Sequence, residues 1–474
     1  MEAEVDRLWA APELLEVLGD WADRPGPMYQ RLSAAVRDAV AQGNLVAGDR
    51  LPSERDLAKA LAVSRATVVS AYDDLRAESI VDSRQGSGTR VRRGVAPERT
   101  GRVHGGTATA IVQRLIDTPG EMISLGNVTA PGLDLLTEEL HGLVREDLAQ
   151  VLGESGYHPR GLPRLREAIA ARYAAAGLAT TADQLVVTTG ASQAIALVTQ
   201  LLLTRGSTVV VESPSWPGCL DALRAAGVRL VGVPLDDEGI RPDLLARALP
   251  EHRPDLVYVM PNAHNPTGVT MSAPRRRQVA DLAARHGVPV LEDSPDPGLD
   301  PLPVAAFSPG VTLTLGSLTK PVWAGLRIGW VRAPADVAAR LARLKALADL
   351  GSPVLDQALA ARLLPRLDAL TAEREAALRE RRDFLEAALA ESLPAWRWRS
   401  PAAGSSLWIE LPGADSVAFA QVALRHGVEV VAGAATDPTG AHDSYVRVGF
   451  NYPPRTLAAM VDRLRQAWEA TGRR

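Results

Sequence analysis

Lysine is scarce in this chain of 474 residues, and its scarcity singles out three positions. Of 52 basic residues only three are lysines, namely Lys59, Lys320 and Lys345, so arginine is used almost everywhere that a simple positive charge would serve. A lysine amine can lose its proton and condense with an aldehyde, whereas a guanidinium cannot. A retained lysine is therefore a candidate for Schiff-base chemistry, although a few lysines also persist by chance in any arginine-rich chain.

Lys320 has the position that such chemistry needs. It closes the sequence GSLTK directly after the run VTLTL, which predicts a strand. From about residue 121 onward, strand, turn and helix patterns alternate: QLVVTTG precedes ASQAIALVTQLLL, and STVVVES precedes WPGCLDALRAAG. The alternation predicts an α/β domain with a mostly parallel sheet, whose ligand lies at the carboxyl ends of the strands.

Four motifs at these predicted strand ends resemble fold-type I pyridoxal-phosphate enzymes of the aminotransferase class: GSLTK with Lys320, VPVLED with Asp293, HNPTG with Asn265 and GLRIGW with Arg327. The resemblance covers roughly residues 121–474. It implies that Lys320 holds pyridoxal 5'-phosphate as a Schiff base, that Asp293 pairs with the pyridine nitrogen and that Asn265 donates to the phenolic oxygen.

The same resemblance assigns further roles. It implies an aromatic ring over the cofactor, a tyrosine that reaches the phosphate of the other subunit, an arginine that clamps a substrate carboxylate, and a phosphate cup at a helix N-terminus. The aromatic ring would be Trp216, the tyrosine Tyr157 and the arginine Arg447. The phosphate cup would comprise Gly190, Ala191, Ser192, Ser317, Thr319 and Arg327.

The chain departs from the family at one place. The family usually has a tyrosine two or three residues after the Glu-Asp pair, and this sequence has Pro295 and Asp296 there. Loss of that hydroxyl is expected to weaken transaldimination, which puts catalytic turnover in question more than cofactor binding. For His264, beside Asn265, an approach to the cofactor and a structural hydrogen bond are both open.

Residues 28–93 predict a separate, smaller domain. Apolar spacing predicts a helix over 28–42, and Ser53 and Ser64 can N-cap two further helices, ERDLAKALA and RATVVSAYDDLRAE. The sequence IVDSRQGSGTRVR indicates two strands about a glycine-rich turn. The segments LPSERDLAKALAVSRATVVSAYDDL and RQGSGTRV resemble the winged helix-turn-helix of the GntR superfamily of bacterial repressors.

This second resemblance implies double-stranded DNA as a partner. The start of the third helix would face a phosphate or a base edge, the second helix would reach the backbone, and the wing would approach the minor groove with charge from Arg84, Arg90, Arg92 and Arg93. A small helical domain with a solvated basic hairpin is the alternative. The expected DNA contacts are Arg55, Ser64, Arg65, Thr67, Gln85 and Gly86.

Composition limits the remaining choices. Hydrophobic residues make up 46% and charged residues 23% of the chain, as in ordinary globular proteins, so wholesale disorder is excluded. The net charge of −4 gives no general affinity for polyanions, but residues 50–93 carry nine basic against six acidic groups. A single cysteine, Cys219, rules out an intrachain disulfide, and neither a membrane span nor a secretory leader is evident. A cytoplasmic location is expected.

Together these patterns predict a multidomain chain. We expect an N-terminal helical extension (1–27), an α+β winged helix-turn-helix (28–93), a linker (94–120) and an α/β aminotransferase-like domain (121–474) with a smaller α+β subdomain from about 355 to 474. This order resembles the MocR/GabR type of bacterial transcription regulator, which implies a homodimer with pyridoxal 5'-phosphate as cofactor.

Three functions remain open at this point. The leading hypothesis is a regulator that senses pyridoxal phosphate, or an amino acid or amine, through an aldimine and thereby changes operator binding. The alternative is a working aminotransferase with an autoregulatory DNA-binding head. A third class is a DNA-binding scaffold whose large domain only dimerises, in which case DNA affinity would ignore the cofactor.

Overall fold

The computed structural model describes residues 8–19, 21–41, 43–84, 88–92, 122–124, 132, 135–294, 299 and 301–472. Its N-terminal part, called the head here, comprises residues 8–92. The head contains helices α1 (Ala11–Leu18), α2 (Met28–Ala41), α3 (Glu54–Leu61) and α4 (Arg65–Ala77), a short 3-10 turn (Trp21–Asp23), and strands β1 (Val81–Arg84) and β2 (Gly88–Val91).

Local capping sets the helices of the head. The Ser53 hydroxyl accepts a hydrogen bond from the amide of Asp56 at 3.2 Å, and the Ser64 hydroxyl accepts one from the amide of Thr67 at 3.1 Å. Each bond satisfies an amide that the first helical turn leaves without a partner. Strands β1 and β2 pair antiparallel as a hairpin. The predicted helix-turn-helix and its wing strands are therefore confirmed.

The N-terminal extension is part of the core of the head. Trp21 is fully buried, and it packs with Leu14, Leu32, Leu57 and Tyr72 in one apolar cluster. The N-terminal helical extension predicted from the sequence therefore packs on the helix-turn-helix itself.

Removal of this side chain tests that packing. We expect Trp21→Ala to lower the free energy of unfolding of the head by about 3–5 kcal/mol, because the cavity would lie in the centre of its core. Thermal or urea unfolding of the full chain measures the change. Leu8→Ala is the control, since Leu8 is 60% exposed, and equal stability of the two variants would contradict a shared core.

A mixed sheet of eight strands forms the centre of the large domain within the described chain. Its order is β4-β11-β10-β9-β8-β5-β6-β7, and the strands from β10 through β6 run parallel to their neighbours. Only β11 and β7 pair antiparallel, so the expected mostly parallel sheet is confirmed. The strands are β4 (Leu185–Thr188), β5 (Thr208–Ser213), β6 (Arg229–Asp236), β7 (Gly239–Ile240), β8 (Leu256–Val259), β9 (Val290–Ser294), β10 (Thr312–Ser317) and β11 (Gly329–Arg332).

Helices cover this sheet and bury its apolar strands. The described ones are α5 (Leu135–Gly142), α6 (Leu148–Leu152), α7 (Pro163–Ala175), α8 (Ala191–Leu202), α9 (Pro217–Ala225), α10 (Pro242–His252), α11 (Ala273–His286), α12 (Ala335–Asp349) and α13 (Val354–Leu363). A π-helical segment (Leu143–Asp147) joins α5 to α6, and 3-10 turns lie at Ala182–Gln184, Val304–Ala306, Ala324–Leu326 and Leu364–Arg366.

A smaller subdomain follows the long helix α14 (Leu367–Ser392). Its four-stranded sheet has the order β12-β13-β16-β15, and helices pack on one face. Strand β14 lies apart and pairs in parallel with β3 (Ile123–Ser124), so residues near the start of the large domain also belong to this subdomain. Its other elements are β12 (Arg397–Trp398), β13 (Ser406–Glu410), α15 (Ser416–Arg425), β14 (Val428–Glu429), β15 (Val431–Ala432), α16 (Gly433–Thr436), β16 (Tyr445–Gly449) and α17 (Pro454–Ala470).

Some predictions fall where the structure gives no description. These are the linker, the wing turn with Gln85 and Gly86, and the substituted positions Pro295 and Asp296. Of the helices that are described, none has the length and apolar character to cross a membrane.

Candidate functional site

The sheet order brings most of the predicted cofactor residues to one edge. Strands β4, β10, β9, β8 and β5 all end there, and the antiparallel strand β11 begins there. Gly329, at the start of β11, pairs with Ser317 on one side and with Thr188 on the other. Segments far apart in sequence therefore meet at the carboxyl edge, which is where open α/β sheets bind ligands.

A cup with the chemistry for a phosphate lies at the N-terminus of α8. Gly190 precedes the helix with φ +100°, and a Cβ there would lie 3.2 Å from Nη2 of Arg327. Arg327 also donates from Nη2 to the carbonyl of Thr189 at 2.5 Å, which holds its guanidinium against the turn. Helix N-termini and arginine forks both bind phosphate oxygens.

The other predicted members of this cup lie around it. Ser317 donates its hydroxyl proton to Oγ1 of Thr319 at 2.9 Å and accepts from the Thr319 amide at 3.2 Å. These bonds fix the turn that carries Lys320 immediately after β10. Ala191 and Ser192 form the first turn of α8, where Ser192 is exposed to solvent.

Asp293 is the buried acid of the site. It is 1% exposed, and Oδ2 accepts a hydrogen bond from the Tyr258 hydroxyl at 2.7 Å. Burial raises the pKa of Asp293 to about 6, while the Tyr258 hydrogen bond and the Lys320 charge act in the opposite direction. Among the described residues no group donates to its second oxygen, Oδ1. An orphaned carboxylate oxygen beside a lysine fits a pyridinium N–H.

Asn265 and Arg447 connect the two subdomains across the site. Nη1 of Arg447 donates to Oδ1 of Asn265 at 2.9 Å, which leaves the Asn265 amide nitrogen as the donor for a ligand oxygen. Arg447 lies on β16 and is 3% exposed. Burial lowers its pKa to about 10, and the carboxylate of Glu429 partly opposes that shift. A buried guanidinium here can bind a carboxylate.

The two remaining candidates, Trp216 and Tyr157, differ in how deeply they are buried. Trp216 follows β5, caps α9 and packs partly into the core beside the site. Tyr157 is 67% exposed. Its side chain is therefore open to solvent, unlike those of Asp293 and Arg447.

His264 has a structural partner. Nδ1 of His264 lies 2.8 Å from Oγ1 of Thr267, and burial lowers the pKa of the ring to about 3. Nε2 lies 3.4 Å from Oε2 of Glu212, whose pKa burial raises to about 8. Burial disfavours the charged form of both groups, which favours a neutral buried contact over an ion pair. Of the two alternatives, the geometry supports the structural hydrogen bond.

Sequence reasoning missed two residues that organise the site. Tyr258 lies in the strand run LVYV, where its hydroxyl is the one polar side-chain group, and that was the available signal. Asp437 is buried in the subdomain junction, where it accepts hydrogen bonds from Ser213, Thr439 and His442. Burial would raise the Asp437 pKa, but these hydrogen bonds outweigh burial and hold it below its usual range.

The Tyr258 hydrogen bond yields a test. We expect Tyr258→Phe to raise the pKa of Asp293, because the bond stabilises the carboxylate. Pyridoxal phosphate needs that carboxylate, so its affinity should fall as pH drops through the Asp293 pKa, and the fall should begin at higher pH in the variant. Loss of a hydrogen bond to a charged group predicts roughly tenfold weaker binding near neutral pH.

The measurement is cofactor affinity against pH by absorbance titration. Tyr173→Phe is the matched control, since Tyr173 is also buried and its hydroxyl accepts from Trp330 at 3.1 Å, away from Asp293. Superimposable pH profiles for the Tyr258 variant and the wild type would contradict the role of Tyr258.

The DNA-facing residues predicted near the starts of α3 and α4 are mostly open to solvent. Ser64 and Arg55 are exposed, and the side chain of Arg65 is 70% exposed. Thr67 is half-buried, and its Oγ1 lies 2.9 Å from the Ser64 hydroxyl. The leading end of α4 therefore presents amides, hydroxyls and a guanidinium on one surface, as a recognition helix does.

Comparison with known proteins agrees with both halves of the molecule. Residues 28–91 match the model of the gntR family of bacterial regulatory proteins, and residues 153–464 match the model of aminotransferase class I and II. The chain is 31% identical to the HTH-type transcriptional regulator YisV of Bacillus subtilis, over 81% of this chain and 84% of YisV. It is 28% identical to the regulatory protein MocR of Rhizobium meliloti, over 67% of each chain. This chain belongs to the MocR/GabR type of transcriptional regulators.

The large domain of this MocR/GabR-type chain is also similar in fold to solved aminotransferases. The α-aminoadipate aminotransferase LysN of Thermus thermophilus, solved with N-(5'-phosphopyridoxyl)-L-leucine, superposes with a TM-score of 0.66 at 27% identity, over 76% of this chain and 94% of LysN. The large domain thus has the fold-type I aminotransferase architecture, and pyridoxal 5'-phosphate is its cofactor. The orphaned oxygen of Asp293 and the glycine-lined cup fit that molecule.

Proposed function

We propose that this chain is a pyridoxal-phosphate-dependent transcriptional regulator that senses the cofactor, or an amino compound bound with it, and changes its binding to an operator. One observation carries the proposal: a single chain combines an exposed helix-turn-helix surface with a half-buried lysine and a buried aspartate and arginine around a carboxyl sheet edge. A chain that only bound DNA would have no use for the orphaned carboxylate of Asp293.

Each residue has a distinct part in this proposal. When bound, the cofactor supplies an aldehyde that reacts with amines and a ring that attracts electrons. The Lys320 amine would hold the aldehyde, Asp293 would accept the ring N–H, and Asn265 would donate to the phenolic oxygen. Arg447 would bind the carboxylate of an amino acid effector bidentately.

We further propose that the regulator is a cytoplasmic homodimer. The exposed Tyr157 suits a contact with the phosphate of a partner subunit. Large apolar side chains are also exposed on the large domain, as a surface buried by a second copy would require. They are Leu140, Val144, Leu152, Trp323, Leu347, Leu350 and Leu355.

The deciding experiment is a titration of operator binding at stated salt, with the duplex first selected from a random library by the full chain. We expect operator affinity to change at least about fivefold on adding pyridoxal phosphate or one member of a panel of amines and amino acids, within the usual range of allosteric coupling. Salt must be fixed because phosphate contacts depend on it. Identical affinity under all conditions would contradict the proposal and favour a scaffold.

A working aminotransferase is the second candidate, and the Arg447–Asn265 contact favours it, because the same pair could hold an amino acid substrate. Its test is a half-reaction: an amino donor would convert the bound cofactor to its pyridoxamine form, and a keto acid would reverse the change. Fast exchange in both directions, with unaltered operator affinity, would favour the enzyme over the regulator.

A further inference from the structure

One face of α15 in the small subdomain contacts the turn of the helix-turn-helix. Nη1 of Arg425 donates to the carbonyl of Leu61 at 3.1 Å, and Nη2 donates to the carbonyl of Ala62 at 3.3 Å. Leu61 ends α3, and Ala62 is the left-handed residue, φ +51°, that starts the turn toward α4. A cation at carbonyls of a helix C-terminus is favourable.

Apolar and polar contacts flank this guanidinium. Nε1 of Trp21 donates to Oε1 of Gln421 at 3.4 Å, and Nζ of Lys59 lies 3.5 Å from Oδ2 of Asp415. Val417 packs against the core of the head, while Ala62 packs against the core of the small subdomain. Burial in this contact lowers the pKa of Arg425. The two cores therefore meet through one shared interface.

The C-terminal end of α15, which carries Arg425, also leads toward the carboxylate-binding arginine. After α15 the chain enters β14 with Glu429, which is 2% exposed and accepts a hydrogen bond from the Ser124 hydroxyl. Two residues later Val431 pairs with Arg447 in the sheet. Glu429 thus lies at the junction of the helix that contacts the head and the strand pair that carries Arg447.

We propose that α15 is a docking surface for the helix-turn-helix turn, and that a ligand carboxylate at Arg447 changes how tightly the head is docked. The inference rests on the proposed function, because it takes Arg447 as the effector clamp. A ligand carboxylate bound by Arg447 displaces that strand residue, and the pairing of Arg447 with Val431 transmits the displacement to β15. Because β15 follows β14 and α15 directly in the chain, a displacement of β15 moves Arg425 relative to Leu61 and Ala62.

The docked head is competent for DNA, because Ser64 and Arg65 remain exposed beside the contact. Docking therefore sets the position of the head and does not mask its surface. In a homodimer two docked heads would hold two half-sites at one fixed separation, whereas released heads would tolerate several. A ligand that controls docking therefore controls which half-site separations the dimer can bind.

A matched pair of stable ligands tests the coupling in the full chain. N-(5'-phosphopyridoxyl)glycine carries a carboxylate, and N-(5'-phosphopyridoxyl)methylamine lacks only that group. Hydrogen exchange is followed in peptides that cover residues 59–66 and 416–432. We expect the glycine adduct to change exchange in both regions by at least about threefold, and the methylamine adduct to leave both unchanged.

Arg425→Gln removes the guanidinium from the interface. Arg463→Gln is its control, since Nη1 of Arg463 donates to the carbonyl of Gly427, two residues after Arg425, at 2.9 Å. We expect Arg425→Gln to raise exchange over 59–66 roughly tenfold, as for a lost charged hydrogen bond, and to abolish the ligand response there. The response over 428–432 and the affinity for both adducts should persist, which also shows that the variant folds.

Three outcomes distinguish failure of the proposed function from failure of the docking proposal alone. If neither adduct binds, the proposed function fails, and the docking proposal fails with it. If both adducts bind and the carboxylate alters neither region, only the docking proposal is overturned. A response over 59–66 that survives in Arg425→Gln as in Arg463→Gln would also overturn it.

Discussion

Lys320→Ala is expected to give a folded protein that cannot hold its cofactor covalently. Without the amine the aldehyde has no partner at the end of β10, whereas Asp293 and the phosphate cup remain. We expect the visible absorption of the bound cofactor to disappear and the affinity to fall at least about a hundredfold, equivalent to roughly 2.7 kcal/mol. Absorption spectroscopy, and mass spectrometry after borohydride reduction, measure both effects.

The scarcity of lysine makes the control simple. Lys59→Ala removes a lysine whose side chain is 76% exposed in the head, and it should keep the spectrum and the mass increment. In the wild type, the reduced adduct should map to the peptide with Lys320. An unchanged spectrum in the Lys320 variant would refute the covalent assignment.

Arg65→Ala is expected to weaken operator binding with no change in the cofactor spectrum. Arg65 is the first residue of α4, where side chains reach base edges or phosphates. A specific base contact contributes about 1–3 kcal/mol, so affinity should fall roughly 5-fold to 150-fold. Fluorescence anisotropy with a labelled operator at fixed salt measures the loss.

Arg76→Ala is the matched control on the same helix. It removes the same charge from the last turn of α4, where Arg76 pairs with Asp73 at 2.7 Å, far from the leading end. Its operator affinity should stay within about twofold of the wild type, because exposed ion pairs contribute little. Equal losses in the two variants would show a general charge effect and would contradict the recognition helix.

Local chemistry explains why much of the head could be predicted from sequence. Ser53 and Ser64 cap helices through bonds that span three residues, so the information lies within each segment. The strand-end motifs of Lys320, Asp293 and Asn265 were equally visible, because parallel strands deliver their carboxyl ends to one edge. The mostly parallel sheet then agreed with the predicted architecture.

Long-range contacts explain what could not be predicted. Tyr258 meets Asp293 across two neighbouring strands, and Arg447 reaches Asn265 from another subdomain. The pairing of Ile123 with Val428 joins segments about three hundred residues apart, and nothing in two short apolar segments specifies such a partner. The contact of Arg425 with the head likewise depends on how two finished surfaces meet.

The central claim is that occupancy of the cofactor site and operator binding are linked, and thermodynamics requires such linkage to be reciprocal. The most direct test measures the affinity of the full chain for pyridoxal phosphate, alone and with its effector, in the absence and presence of saturating operator. The account predicts that the operator shifts this affinity by the same factor by which the ligand shifts operator affinity. A cofactor affinity that is identical with and without operator, for every ligand that binds, would contradict it.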